Sequence, residues 1–143
     1  MGRIVFGWPL LLTAHAVSTA VFLVLSIVAV ATRPTLDAVF VGFCTTAFGI
    51  GFLGLLAGFV RALSASRYQD VSLIGVFFLG ENAAPKKIRN GFLAILALQT
   101  LIAIGVAVQA PFSPLAFAVL VPQLGFGLLA LHGGFLGVFP AKP

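Results

Sequence analysis

The chain has 143 residues, of which 61% are hydrophobic and 8% charged, with a mean hydropathy of +1.20. Soluble domains carry roughly half apolar residues, so a water-soluble globular core is excluded and an all-α, polytopic membrane protein is expected. The formal charge of +5 comes from eight Lys and Arg against three acidic residues, and these sit in short connectors. A nucleic-acid footprint needs a basic face or stripe, so the basic excess points to topology and anionic lipid rather than to nucleic acid.

A helix of about 20 residues crosses a hydrocarbon layer of about 30 Å with every backbone hydrogen bond internal. The first apolar run, Ile4 to Ala31, is longer than that, so it should tilt or project past the lipid. Its basic start and its Ala29-Val30-Ala31 end have the outline of a signal peptide. The apolar stretch exceeds the roughly 7–15 residues of a signal h-region, so an uncleaved helix is expected. Phe6 stands where N-myristoylation after Met-Gly needs Ser or Thr. His15 lies inside this run, with Ser18 and Thr19 a turn further on.

After the link "TRPTLD" comes the second run, Ala38 to Val60. Its Cys44 is the single cysteine of the chain, which excludes an internal disulfide and any Cys-based metal motif and leaves a small buried residue. Ala47, Gly51, Gly54 and Gly58 recur at helical spacing, and Gly54 to Gly58 is a G-x-x-x-G pattern. Small residues on one face let membrane helices approach closely.

The connector 61–90, "RALSASRYQDVSLIGVFFLGENAAPKKIRN", is longer than a minimal helix–helix link and is expected to carry structure or a docking surface. Its apolar part, Val71 to Leu79, is too short to span, so it lies in the interface or folds back on the bundle. Asn82 is expected to cap a helix opening near Pro85, because proline lacks the amide donor that a first turn leaves unused. Arg61, Arg67, Lys86, Lys87 and Arg89 then lie at headgroup depth, where each basic residue gains about 1 kcal/mol from anionic lipid and helps set orientation.

The third run, Gly91 to Ala110, contains Gln99, and the fourth, Pro114 to Phe139, follows the link "QAPFSP". Pro122 interrupts the fourth run and removes the donor for the Ala118 carbonyl, so a kink is expected there with Gln123 placed to satisfy the freed group. Gly133 and Gly137 repeat the small-residue spacing. From the sequence it stays open whether the two small faces meet inside one chain or between copies. Short links make the four spans two antiparallel hairpins of a single domain.

Counted at about 1.5 Å per residue from the connector side, His15, Gln99 and His132 fall at similar depths and form a candidate polar layer with Ser18 and Thr19. Ionisable groups inside a span are costly and face the bundle interior. The layer is either closed by His–Gln or His–Ser hydrogen bonds, or it serves a ligand: haem b held by His15 and His132, a proton relay, or a quinone or polar substrate. The carboxylates Asp37, Asp70 and Glu81 all lie in connectors, so no intramembrane acid–base pair exists. G-x-S-x-G, H-E-x-x-H and P-loop patterns are absent. A non-catalytic accessory, assembly or scaffolding subunit with a protein partner or a second copy is therefore expected. The alternatives are an oligomeric small-solute or ion transporter and a haem- or quinone-binding redox anchor.

The stretches "ENAAPKKIRNGF" and "APFSPLAFAVLVPQLGFGLLALHGGFLGVFP" together resemble small four-helix membrane proteins of actinobacteria without an established activity. The likeness covers about the C-terminal half and rests on the Pro-Phe-x-Pro-Leu-Ala-Phe run, the mid-helix Val-Pro and the terminal Phe-Pro. It implies a bacterial inner membrane and assigns no residue a role.

With the termini and the 61–90 connector on one side, that side holds Arg3, Arg61, Arg67, Lys86, Lys87, Arg89 and Lys142, and the other holds Arg33 alone. The positive-inside rule makes the first side cytoplasmic. Single cysteines placed at Thr35 and at Ser66 in a Cys44→Ala background check this. An impermeant maleimide added to intact cells should label the first and not the second, and the reverse pattern would invert the topology.

Overall fold

The computed structural model describes residues 7–80 and 83–141. It is 79% helical, with four helices long and apolar enough to span a membrane and no strand among the described residues. Arg3, Glu81, Asn82 and Lys142 lie outside the described residues, and so does the expected Asn82 cap.

Helix α1 covers Gly7–Ala31. Pro9 falls in its first turn, where the missing amide donor is not needed, and Pro34 prevents its continuation. Helix α2 covers Asp37–Ala65, five residues beyond the expected end, because Arg61 to Ala65 contains good helix formers and no breaker. Asp37 in its first turn complements the positive end of the helix dipole.

Within the long connector, Leu73–Phe78 forms the short helix α3, capped by Ser72, whose Oγ accepts a hydrogen bond from the Gly75 amide at 2.9 Å. It ends at Leu79, which has φ 52°, a left-handed conformation costing a non-glycine residue about 1 kcal/mol or more. The Leu79 side chain is fully buried, and that burial offsets the strain. Helix α4, Lys86–Gln109, opens near Pro85 as expected and so begins five residues before the apolar run, with Pro85 at the N-cap position rather than at the first helical position.

The fourth span is not one helix. A 3₁₀ segment, Pro114–Leu120, is capped by Ser113, and α5 follows as Pro122–Leu136. The interruption expected at Pro122 takes the form of this change in helix type. The Ala118 carbonyl accepts from the Val121 amide at 3.1 Å, an i to i+3 bond that answers the freed acceptor without Gln123. Past α5 the chain is extended and tied to the connector: the Val138 amide donates to Ala83 at 3.2 Å and the Asp70 amide donates to Pro140 at 2.8 Å.

Sequence neighbours α1 and α2 run in opposite directions, as do α4 and α5, yet the closest packing crosses between the hairpins. α2 and α5 run parallel, with Gly51 against Gln123, Gly54 against Gly127 and Gly58 against Ala130. A Cβ built on Gly51, Gly58, Gly127 or Gly134 would overlap backbone atoms of the facing helix. α5 also touches α1, α3 and α4. Its span is accordingly 39% buried against 28% for each of the others, whose remaining apolar surface is left for lipid.

Two apolar cores result. One, near the 32–36 link, gathers Phe22, Phe40, Cys44, Ala103, Leu115 and Val121. The other, near the connector, gathers Leu79, Ala84, Phe92, Leu96 and Leu129.

Crowding a packed contact costs roughly 1–3 kcal/mol. Gly58→Ala and Gly127→Ala should each lower the resistance of the purified protein to unfolding in a dodecyl sulfate titration by that amount. Gly42→Ala and Gly49→Ala, where a Cβ meets nothing within 4 Å, should change it by no more than about 0.5 kcal/mol.

Candidate functional site

The intramembrane polar groups converge where the two cores meet. Gln99 of α4 stands between Leu96 of one core and Ala103 of the other. From α1, His15 reaches it: Nε2–H donates to Gln99 Oε1 at 3.4 Å, a long bond. Both residues are fully buried. A polar side chain surrounded by hydrocarbon needs a partner from a neighbouring helix, and this pair ties α1 to α4. His15 Nδ1 and Gln99 Nε2 are buried without a hydrogen-bond partner among the described residues.

Helix α5 closes the pair from the third side through Gly125. A Cβ there would lie 2.7 Å from His15 Nε2, 2.9 Å from Gln99 Oε1 and 2.8 Å from Leu96 Cδ1. Only a residue without a side chain lets α5 sit against the His15–Gln99 bond.

His132 does not share this layer. It lies seven residues after Gly125 in α5, about 10 Å along the axis, and is fully buried among the connector-side residues. Phe92 joins the two histidines. Its ring centroid is 5.8 Å from that of His15 and 5.3 Å from that of His132, tilted to the first and edge-on to the second. The same phenylalanine ring therefore packs against both imidazoles.

Ser18 and Thr19 turn away from the pair, and both hydroxyls donate to the His15 backbone carbonyl at 2.9 Å. This is the local back-bonding typical of hydroxyl residues inside helices. The groove of about 480 Å³ between α1 and α4 toward the 32–36 link is bordered by Ser26 and Gln109 among apolar residues, and by neither histidine.

The other residues singled out from the sequence divide between two places. Ala47, Gly51, Gly54 and Gly58 are buried on the α5-facing side of α2. Their partners on α5 are Gly127 and Gly134, whereas Gly133 faces the backbone of Val76 in α3 and Gly137 faces Phe139. Arg61, Arg67, Lys86, Lys87 and Arg89 gather at the connector end, the first four exposed and Arg89 half-buried. Among the described residues no group of three or more His, Cys, Asp or Glu side chains is placed to hold a metal ion.

Phe92 and Gly125 are the residues that sequence reasoning missed. A phenylalanine in an apolar span carries no signal, and Gly125 is one glycine among 16. No family model matches this chain, and no curated protein or solved structure is similar to it, so its functional reading rests on its own residues.

Interhelical hydrogen bonds inside membranes average about 0.6 kcal/mol and reach about 1.7. A double-mutant cycle with His15→Ala and Gln99→Ala, read as unfolding free energy in detergent, should give a coupling within that range. Gly125→Ala should weaken the same coupling, because the added methyl pushes on both side chains. Strictly additive single variants would remove the pair as a tie between α1 and α4.

Proposed function

We propose that this protein is a non-catalytic accessory, assembly or scaffolding subunit of a bacterial inner-membrane complex, with its termini and the 61–90 connector in the cytoplasm. The observation that carries the reading is α3. Its Val76 side is fully buried against the bundle, while Leu73, Ile74 and Phe78 stay 64%, 60% and 47% exposed. Three large apolar side chains on one short helix, a few residues after the exposed Arg67 and Tyr68 in the chain, offer the apolar centre that is the usual core of a protein interface.

The polar layer supports the same reading. His15, Gln99 and Gly125 pack against one another and Phe92 packs against both histidine rings, an arrangement that braces helices against each other. The partner that fits is another integral membrane protein presenting an apolar surface at the depth of the interface, where α3 meets it.

A photoreactive residue at Leu73 or Ile74, irradiated in native membranes, should give one discrete adduct, and the same residue at Val108 on the lipid face should give none. The double substitution Leu73→Ser with Ile74→Ser should reduce recovery of that adduct partner several-fold while the protein still inserts. If α3 yields only lipid adducts, or if the serine variant retains its partner, the reading fails.

A further inference from the structure

At the C-terminal end of α2 lies a polar crevice of about 510 Å³, lined by Arg61, Ser64, Ala65, Arg67, Tyr68 and Gln69. Arg67 lies six positions after Arg61, a spacing that puts the two on different sides of a continuous helix. The helix does not continue. The amides of Tyr68 and Gln69 both donate to the Ala65 carbonyl at 3.0 Å, and with the chain turning there Arg61 and Arg67 border the same crevice. The far wall is held in place by the pairing of Gln69 with Ala141 and of Asp70 with Pro140.

No carboxylate lines this space, and neither guanidinium is in an ion pair among the described residues. Two like charges bordering one crevice repel each other, and an anion between them relieves that repulsion. A guanidinium presents its donors as a planar fork that matches phosphoryl oxygens, and the Tyr68 hydroxyl and Gln69 amide add neutral donors. The Ser64 hydroxyl already donates to Val60 at 3.0 Å. The helix dipole opposes an anion here, since it places about half a negative charge at the C-terminal end of α2. Two full positive charges outweigh it.

We propose that this crevice binds the phosphoryl headgroup of an anionic membrane lipid. The lipid source follows from what lies along the same helix. α2 is a membrane-length apolar helix, and Leu53, Leu56, Val60 and Leu63 below the crevice are exposed. They provide an apolar track for acyl chains leading directly to the two arginines. The volume is within the range of small-ligand pockets, about 300–1,000 Å³, and so accommodates a headgroup. Lys86 and Lys87 at the start of α4 are exposed point charges, and they add diffuse attraction without a fork.

The test uses the full chain, by native mass spectrometry after release from nanodiscs of equimolar phosphatidylglycerol and phosphatidylcholine. The wild type should retain phosphatidylglycerol in preference. Arg61→Gln with Arg67→Gln should reduce that preference about thirtyfold, the equivalent of two charges of about 1 kcal/mol each. Lys86→Gln with Lys87→Gln should leave most of it. Arg61→Lys with Arg67→Lys, which keeps the charge and loses the fork, should fall between, and it serves as the readout if the glutamine variant does not insert.

An unchanged preference in the arginine variants, or an equal loss in the lysine-to-glutamine variant, overturns the site. In the parallel arm, inorganic phosphate is titrated calorimetrically into the protein in phosphatidylcholine nanodiscs. Arginine-dependent phosphate binding without phosphatidylglycerol retention would assign the crevice to a soluble phosphate and overturn the lipid proposal. This test is independent of the partner tested through α3.

Discussion

Everything in this bundle depends on how closely α2 and α5 can approach. In lipid the hydrophobic effect does not drive helices together, and association comes from van der Waals contact and from hydrogen bonds between them. Gly51 and Gly58 of α2 interlock with Gly127 and Gly134 of α5 at backbone-to-backbone distance. Because each glycine faces main chain rather than a flexible side chain, the contact has no slack. Parallel packing of the second and fourth spans then makes α5 the helix that touches all the others.

The placement of α5 decides what becomes of the buried polar groups. The same helix that meets α2 through Gly127 and Gly134 presents Gly125 to the His15–Gln99 pair and Gly133 to α3. Glycines at four positions of one helix thus serve four neighbouring helices. The 3₁₀ segment ahead of α5 contributes as well. It brings Leu115, Ala118 and Val121 into the core beside Phe22 and Phe40, and it lets the span change helix type at Pro122 without an unanswered carbonyl.

At the opposite end, the connector and the chain after α5 form a second level of structure. α3 rests on α5 because Gly133 admits the backbone of Val76. The extended residues after Leu136 pair with residues 69 and 70 on one side and with Ala83 on the other. This pairing shapes both surfaces that face outward there, the exposed side of α3 and the crevice between Arg61 and Arg67. Each depends on a turn that stops a helix: Leu79 for α3, and residues 66–68 for α2.

Much of the architecture was legible in the sequence, since apolar length and the cost of an unpaired backbone in lipid are properties of composition. The four spans, their short outer links, the small-residue face of α2 and the break at Pro122 follow from counting residues. The end of α2 was less legible, because Arg61 ends the apolar run while Arg61 to Ala65 remains good helix. The polar layer was half legible. His15 and Gln99 meet as their depths suggest, but His132 sits two turns away, because depth along separate helices says nothing about rotation or tilt. By itself, then, the sequence determined that the chain forms four helices long and apolar enough to span a membrane, and which faces could pack tightly. Only the tertiary structure decided that α2 pairs with α5 through Gly127 and Gly134, that Phe92 packs against both histidines, and that Arg61 and Arg67 border one crevice. These depend on contacts between residues distant in the chain, which no local pattern encodes.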